Sequence, residues 1–125
     1  MSEVTPLVEA PESVFREGLA AGELRFQRCR ECSAAVFQPR VLCPGCGSDE
    51  LGWERSSGLG TVYSTTAVRG RDGVHNVALI DLDEGFRMMS RVEGVDADRV
   101  VIGSRVEFAA VEQDGEPVAV FREVS

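Results

Sequence analysis

The chemistry of this 125-residue chain is concentrated in four cysteines. Cys29 and Cys32 form one C-x-x-C pair, Cys43 and Cys46 form a second, and ten residues separate the pairs. A C-x-x-C knuckle aims two thiolates from one tight turn at a common point. Two knuckles joined by a hairpin complete a tetrahedron of sulfurs at about 2.3 Å from zinc. Pro44, Gly45 and Gly47 suit the second turn, which needs fixed or positive φ. Ser33 follows the first knuckle, where glycine is the common choice. Paired disulfides would require a secretory context, and a redox C-x-x-C would open a helix beside a parallel strand. Neither pattern is present, so the spacing predicts one zinc ion, with a rubredoxin-type iron site as the remaining alternative. Four protein ligands leave no open position for substrate or water, which makes the metal structural.

The other candidate residues are weaker. Arg28 and Arg40 flank the knuckles. Guanidinium forks fit phosphate oxygens, but the same charges also balance a zinc ion held by four thiolates, and this second reading is the simpler one. His75 is the single histidine. As a general base it needs a nucleophile and an orienting acid. Ser64 or Ser90 with Asp81 are the available partners, and nothing in the sequence fixes their geometry. No glycine-rich phosphate loop and no pair of catalytic carboxylates is visible, so the chain reads as non-catalytic.

Several elements must position the cysteines. Pro11 to Ala21 reads as a short amphipathic helix capped by Ser13, with Val14, Phe15, Leu19 and Ala20 on its apolar side and Gly22 at its end. Leu24–Arg28 leads into the first knuckle, Ala35–Phe37 returns from it, and Leu51 and Trp53 lie on a third short strand. Trp53 is the expected apolar plug beside the metal, because so small a module has little core of its own. Ser56–Gly58 and Gly60 mark a joint. Beyond it come strands at Thr61–Val68, Val74–Leu82, Phe86–Val92, Ser104–Val111 and Pro117–Val124, with a helical turn near Asp96–Val101. Five strands in about 65 residues, interrupted by a helix only between the third and fourth, predict an OB-fold barrel. The fold class is therefore mainly β: an N-terminal helix and a rubredoxin-like four-cysteine zinc ribbon, then a five-stranded OB-fold. The expected division is a flexible arm over 1–12, helix and ribbon over 13–55, and barrel over 58–125. In the third strand Phe86, Met88, Ser90 and Val92 share one face, and Arg87, Met89 and Arg91 the other. Met89 is thus a candidate partner contact.

Net charge is −8, and all 13 basic residues are arginine. The charge is uneven. Arg25, Arg28, Arg30 and Arg40 face only Glu31 between Arg25 and Cys46, whereas seven arginines face twelve acids from Gly58 onward. Any anion site belongs in the first half. An acidic barrel with one tyrosine and one tryptophan in the whole chain is poorly suited to stacking single-stranded nucleic acid, which is the alternative reading of a zinc ribbon joined to an OB-fold. No apolar run is long enough to span a membrane. Residues 1–10 carry no basic residue and do not read as a signal peptide, so a cytoplasmic location is the default expectation.

The motifs also have a characteristic order. Phe15-x-x-Gly18-Leu19 precedes Gly22-x-Leu24-x-x-Gln27-x-Cys29, then Phe37-Gln38-Pro39-Arg40, Cys43-Pro44-Gly45-Cys46 and Gly58-x-Gly60-x-Val62-Tyr63-Ser64. Leu82-Asp83-Glu84-Gly85 and Ile102-Gly103-x-x-Val106 complete the series. Together they resemble the DUF35 family of zinc-ribbon/OB-fold proteins over roughly residues 13–123. The resemblance implies a small non-catalytic subunit complexed with a thiolase-like acyl-CoA enzyme, either a thiolase or a lipid-transfer-protein-type aldolase. Some family members pair instead with MaoC-like enoyl-CoA hydratases. It further implies support of the enzyme's folding, activity or CoA-ester binding, with the ester at the shared interface. Phe15, Leu19, Arg28, Arg40 and Met89 are the candidate ligand or partner contacts. Many relatives carry Phe-Trp in the first helix, where this chain has Phe15-Arg16.

Overall fold

A computed structural model describes residues 10–124. The arm expected over 1–12 lies mostly outside them, and its last two residues are already helical. Helix α1 spans Pro11–Ala20. Its start is set by Pro11 in the first turn, where the absent N–H is not missed and φ is already helical. The cap is Ala10, without a side-chain hydrogen bond. Ser13, expected to cap, lies inside the helix and donates its N–H to the Ala10 carbonyl at 2.9 Å. The helix ends as the sequence predicts. Gly22 takes φ +80°, and Glu23 N–H reaches back to Gly18 O at 2.7 Å.

Three short strands build the ribbon: β1 (Arg25–Cys29), β2 (Ala35–Val36) and β3 (Leu51–Arg55), antiparallel in the order β2-β1-β3. Six more build the barrel: β4 (Leu59–Gly70), β5 (Gly73–Leu82), β6 (Arg87–Ser90), β7 (Val92–Glu93), β8 (Arg105–Gln113) and β9 (Glu116–Glu123). Their order is β6-β5-β4-β8-β9-β7. β6 and β7 are two halves of the one strand expected over Phe86–Val92, broken at Arg91. The first half pairs antiparallel with β5 and the second parallel with β9. The break closes the sheet on itself, which removes its edges. Phe121 N–H donates to Arg91 O at 2.9 Å at the crossing point. Buried Asn76 holds it from the other side, accepting from Val92 N at 2.9 Å while donating to Thr65 Oγ1 at 2.8 Å and Ala97 O at 3.2 Å. A 3-10 turn at Ala97–Arg99 occupies the place of the predicted helical insertion.

The principal core runs across the joint. Leu24, just before β1, and Phe26 of β1 are buried together with Val62, Ile80, Phe86, Met88, Val106 and Phe121 of the barrel half. An aromatic chain fastens the parts: Phe15 of α1 meets Phe37 edge-on at 5.4 Å, Phe37 stacks on Phe86 at 5.4 Å, and Phe86 meets Phe26 at 4.8 Å. The plug is therefore Phe26, fully buried, and not Trp53, which is half-buried and belongs to neither core cluster. The joint has a polar latch as well. The Glu84 carboxylate accepts from Ser56 Oγ and from Ser57 N, each at 2.7 Å. Gly60 is required by space, since a Cβ there would stand 2.7 Å from Asp81 O. Among the described residues no helix is long and apolar enough to cross a membrane.

Candidate metal centre

The two knuckles are near copies. Ser33 N–H returns to Cys29 O at 2.8 Å, and Gly47 N–H returns to Cys43 O at 2.8 Å. Ser33 and Gly47 both take left-handed conformations, φ +66° and +79°. Ser33 thus adopts the geometry that glycine would adopt without strain. Backbone N–H groups point at the sulfurs, from Cys32 to Cys29 Sγ at 3.5 Å and from Gly45 to Cys43 Sγ at 3.4 Å. Cys29 and Cys43 are buried, whereas Cys32 and Cys46 are exposed.

All four sulfurs lie within 4.8 Å of one another. Cys29 and Cys46 sulfurs are 3.5 Å apart, and those of Cys32 and Cys43 3.7 Å. A tetrahedron with metal–sulfur bonds of about 2.3 Å has edges of about 3.8 Å, so the donor set fits zinc closely. No disulfide joins the four cysteines, all of which are free thiols. Without metal the thiols titrate unevenly. The Cys32 backbone N–H, against the cost of burial, brings Cys29 down to about 7. Cys46 accepts from the Ser48 backbone, which lowers it. The neighbouring Cys29 sulfur, burial and the other two sulfurs outweigh that contact and push Cys46 up to about 12. Zinc removes the conflict by ligating all four as thiolates.

The domain family described as the ChsH2 rubredoxin-like zinc ribbon matches residues 16–52, and the ChsH2 C-terminal OB-fold domain matches residues 53–112. A DUF35 domain-containing scaffold protein of Methanothermobacter thermautotrophicus is 31% identical, over 71% of this chain and 74% of that protein. The chain belongs to the DUF35 family. Its metal centre is the family's four-cysteine zinc ribbon, and the zinc is structural. The solved structure titled Ltp2-ChsH2(DUF35) aldolase superposes with a TM-score of 0.81 at 27% identity, covering 95% of this chain and 98% of the matched one. The 3-oxo-4,17-pregnadiene-20-carboxyl-CoA hydratase alpha subunit of Mycobacterium tuberculosis is 37% identical over 74% of this chain. A probable enoyl-CoA hydratase alpha subunit of Thermomonospora curvata is 29% identical over 94% of it. The DUF35 chain spans only 31% and 39% of the lengths of these two hydratase subunits.

The remaining candidate residues are scattered around this centre. Arg28 is half-buried, with its guanidinium 5.3 Å from the Phe26 ring. It donates to Ser33 O at 3.0 Å, to Glu54 at 3.2 Å and to Glu84 O at 3.4 Å. It ties the first knuckle to β3 and to the barrel, which is a structural use of the charge. Arg40 is exposed. Leu19 is buried, and Phe15 is half-buried against Phe37. Both line a shallow groove of about 430 Å3 beside Pro117 and Val118. Leu24 and Phe26 are consumed by the core because β1 and the residue before it lie over the barrel. Met89 stands out from the barrel at 69% exposure, as the alternation predicts. It borders an open cleft of about 860 Å3 with Val74, His75 and Arg91.

Gln27 carries a role the sequence reading missed. Its buried amide donates to Arg40 O at 2.9 Å and accepts from Arg40 N at 2.7 Å. One side chain thus pins the loop that leads to the second knuckle. The signal was a polar residue two places before a ligand on a strand of otherwise apolar inward positions.

Proposed function

We infer that this chain is a non-catalytic subunit of an acyl-CoA enzyme complex, its enzyme partner being a thiolase or a lipid-transfer-protein-type aldolase. The observation that carries the reading is the whole-length likeness to the DUF35 chain of an aldolase complex. Likeness to hydratase alpha subunits supports the same acyl-CoA chemistry. The chain's own side chains point the same way. His75 and Asp81 lie six residues apart on β5, about 20 Å at the rise of a strand. Asp81 is already held by Arg87, and Ser90 Oγ donates to Ala119 O at 2.9 Å. These groups do not converge on a reacting atom, and the four-sulfur centre leaves the zinc no open position. The subunit supports the enzyme by stabilising its fold or by forming one wall of the CoA-ester site, with Arg40, Met89 and the outer edges of Phe15 and Leu19 as contacts.

The test is co-expression with thiolase and lipid-transfer-protein-type aldolase subunits from the same genome, followed by size exclusion and an assay with and without the chain. A stable hetero-oligomer whose activity falls when this chain is withheld is the expected result. Turnover of an acyl-CoA by the chain alone, lost in His75→Ala, would overturn the non-catalytic assignment. Single-stranded nucleic acid bound at physiological salt, with no enzyme co-eluting, would favour the OB-fold nucleic-acid reading instead.

A further inference from the structure

The loop between the knuckles is held at both ends and exposed in the middle. At one end, Gln27 satisfies both the N–H and the carbonyl of Arg40. At the other, buried Cys43 donates its N–H to Ser48 O at 2.8 Å and places its sulfur in the zinc site. Between these two anchors stand Val41, 72% exposed, and Leu42, 54% exposed. Val41 is the most exposed large apolar residue among the described ones. Neither side chain belongs to a core cluster of the fold that carries it. Holding them rigid does lower the ordering entropy that a partner would otherwise have to overcome on binding.

We propose that the Val41–Leu42 tip is a pre-formed plug that inserts into an apolar pocket of the acyl-CoA enzyme subunit, a pocket rimmed by carboxylates. This rests on the accessory-subunit reading above. Charge complementarity identifies the rim. Of the four arginines between Arg25 and Cys46, Arg25 and Arg28 are paired with Glu23 and Glu54, whereas exposed Arg40, which adjoins the tip, has no ion pair among the described residues. Chemistry also separates a protein pocket from nucleic acid. A single-strand binder needs aromatic faces on which bases stack. The tip offers only Val41 and Leu42, and the nearby Phe37 is turned inward against Phe15 and Phe86. The plug is distinct from Met89, which projects from the outer face of the barrel.

Binding of the full zinc-loaded chain to the enzyme subunit that co-elutes with it in the co-expression test, measured by titration calorimetry, tests the proposal. Leu42→Asp and the milder Leu42→Ala are compared with Val101→Asp, at an exposed apolar residue to which no contact is assigned and which should bind as the wild type does. Leu42→Asp should raise Kd roughly 30-fold or more, as expected for a central interface anchor, with zinc content and melting temperature unchanged because the site is exposed. Leu42→Ala should give a smaller increase in the same direction, and Arg40→Gln should flatten the salt dependence of association. Wild-type affinity in both Leu42 variants would overturn the plug while leaving the accessory-subunit reading standing. Absence of any complex with the wild-type chain would overturn both. A single-stranded oligonucleotide bound by the wild type and released by Leu42→Asp would show that the occupant is nucleic acid, which also overturns the proposal.

Discussion

The ribbon and the barrel solve one problem in different ways. The barrel buries enough apolar surface to stand on packing, with Val62, Ile80, Val106, Val120 and Phe121 all nearly or fully inaccessible. The cluster private to the ribbon is Cys29, Val36 and Cys43, edged by Ala34 and Leu51. Two of its three buried members are zinc ligands. The ribbon therefore depends on a metal where the barrel depends on area. The comparison also shows that the two are not independent, because β1 sends Cys29 to the metal and Phe26 to the barrel.

The strongest way to break this picture is to remove a ligand. Cys43→Ser should abolish stoichiometric zinc binding and most of the roughly 10–16 kcal/mol that structural zinc contributes in small modules. Amides of residues 29–51 should then exchange at nearly unfolded rates, while those of β4, β5 and β8 keep partial protection. Equal protection in both regions, or one zinc still present by metal analysis, would contradict the division of labour.

A change at the shared residue sharpens the comparison. Phe26→Ala should cost about 3–5 kcal/mol, the range for truncating a buried aromatic. It should lower stability in ribbon and barrel together, in one transition, with zinc still bound. Separate transitions reported by Trp53 fluorescence and by far-ultraviolet circular dichroism would show that the two regions unfold independently.

The polar latch gives a smaller, pH-dependent effect. Burial raises the Glu84 carboxyl, but the Ser57 N–H and Ser56 hydroxyl outweigh it and hold the group below its usual 4.5. A depressed folded value means that the contribution is complete above the unfolded value and is lost as pH falls through the folded one. Wild type should exceed Glu84→Gln by a constant margin at neutral pH, and the margin should shrink below about pH 4.5. Denaturant melts across that range measure it, and a margin that grows on acidification would refute the latch.

The smallest effect is a gain. Ser33→Gly should stabilise the first knuckle by about 0.5–1 kcal/mol, since Ser33 holds φ +66° where glycine is unstrained. The same exchange at the equivalent place in the second knuckle has already been made by the sequence, in Gly47. A chelator competition that shows no tighter zinc retention in Ser33→Gly would mean the two knuckles are equally relaxed.

Much of this protein is legible without coordinates. Spacing alone identifies the four ligands, because two i, i+3 thiolate pairs on tight turns have one common use. Alternation separates Met88 from Met89, and the Asp114-Gly115 turn between β8 and β9 takes the two positive φ values that its residues favour. The order of the motifs names the family. What the sequence could not supply is which surfaces meet. No local pattern tells that Leu24 and Phe26 are buried against the barrel, or that Phe15 packs on the same core. Trp53 reads as a plug and is not one. The split of the third barrel strand at Arg91 depends on Phe121, which lies thirty residues further along the chain. Likewise the clamp of Gln27 on Arg40 spans 13 residues and uses a side chain in place of a neighbouring strand. Local rules act through residues a turn or a strand apart and so determine ligands, turns and alternation. Burial and long-range hydrogen bonds depend on how the helix, the ribbon and the barrel are brought together, and only the tertiary structure decides that.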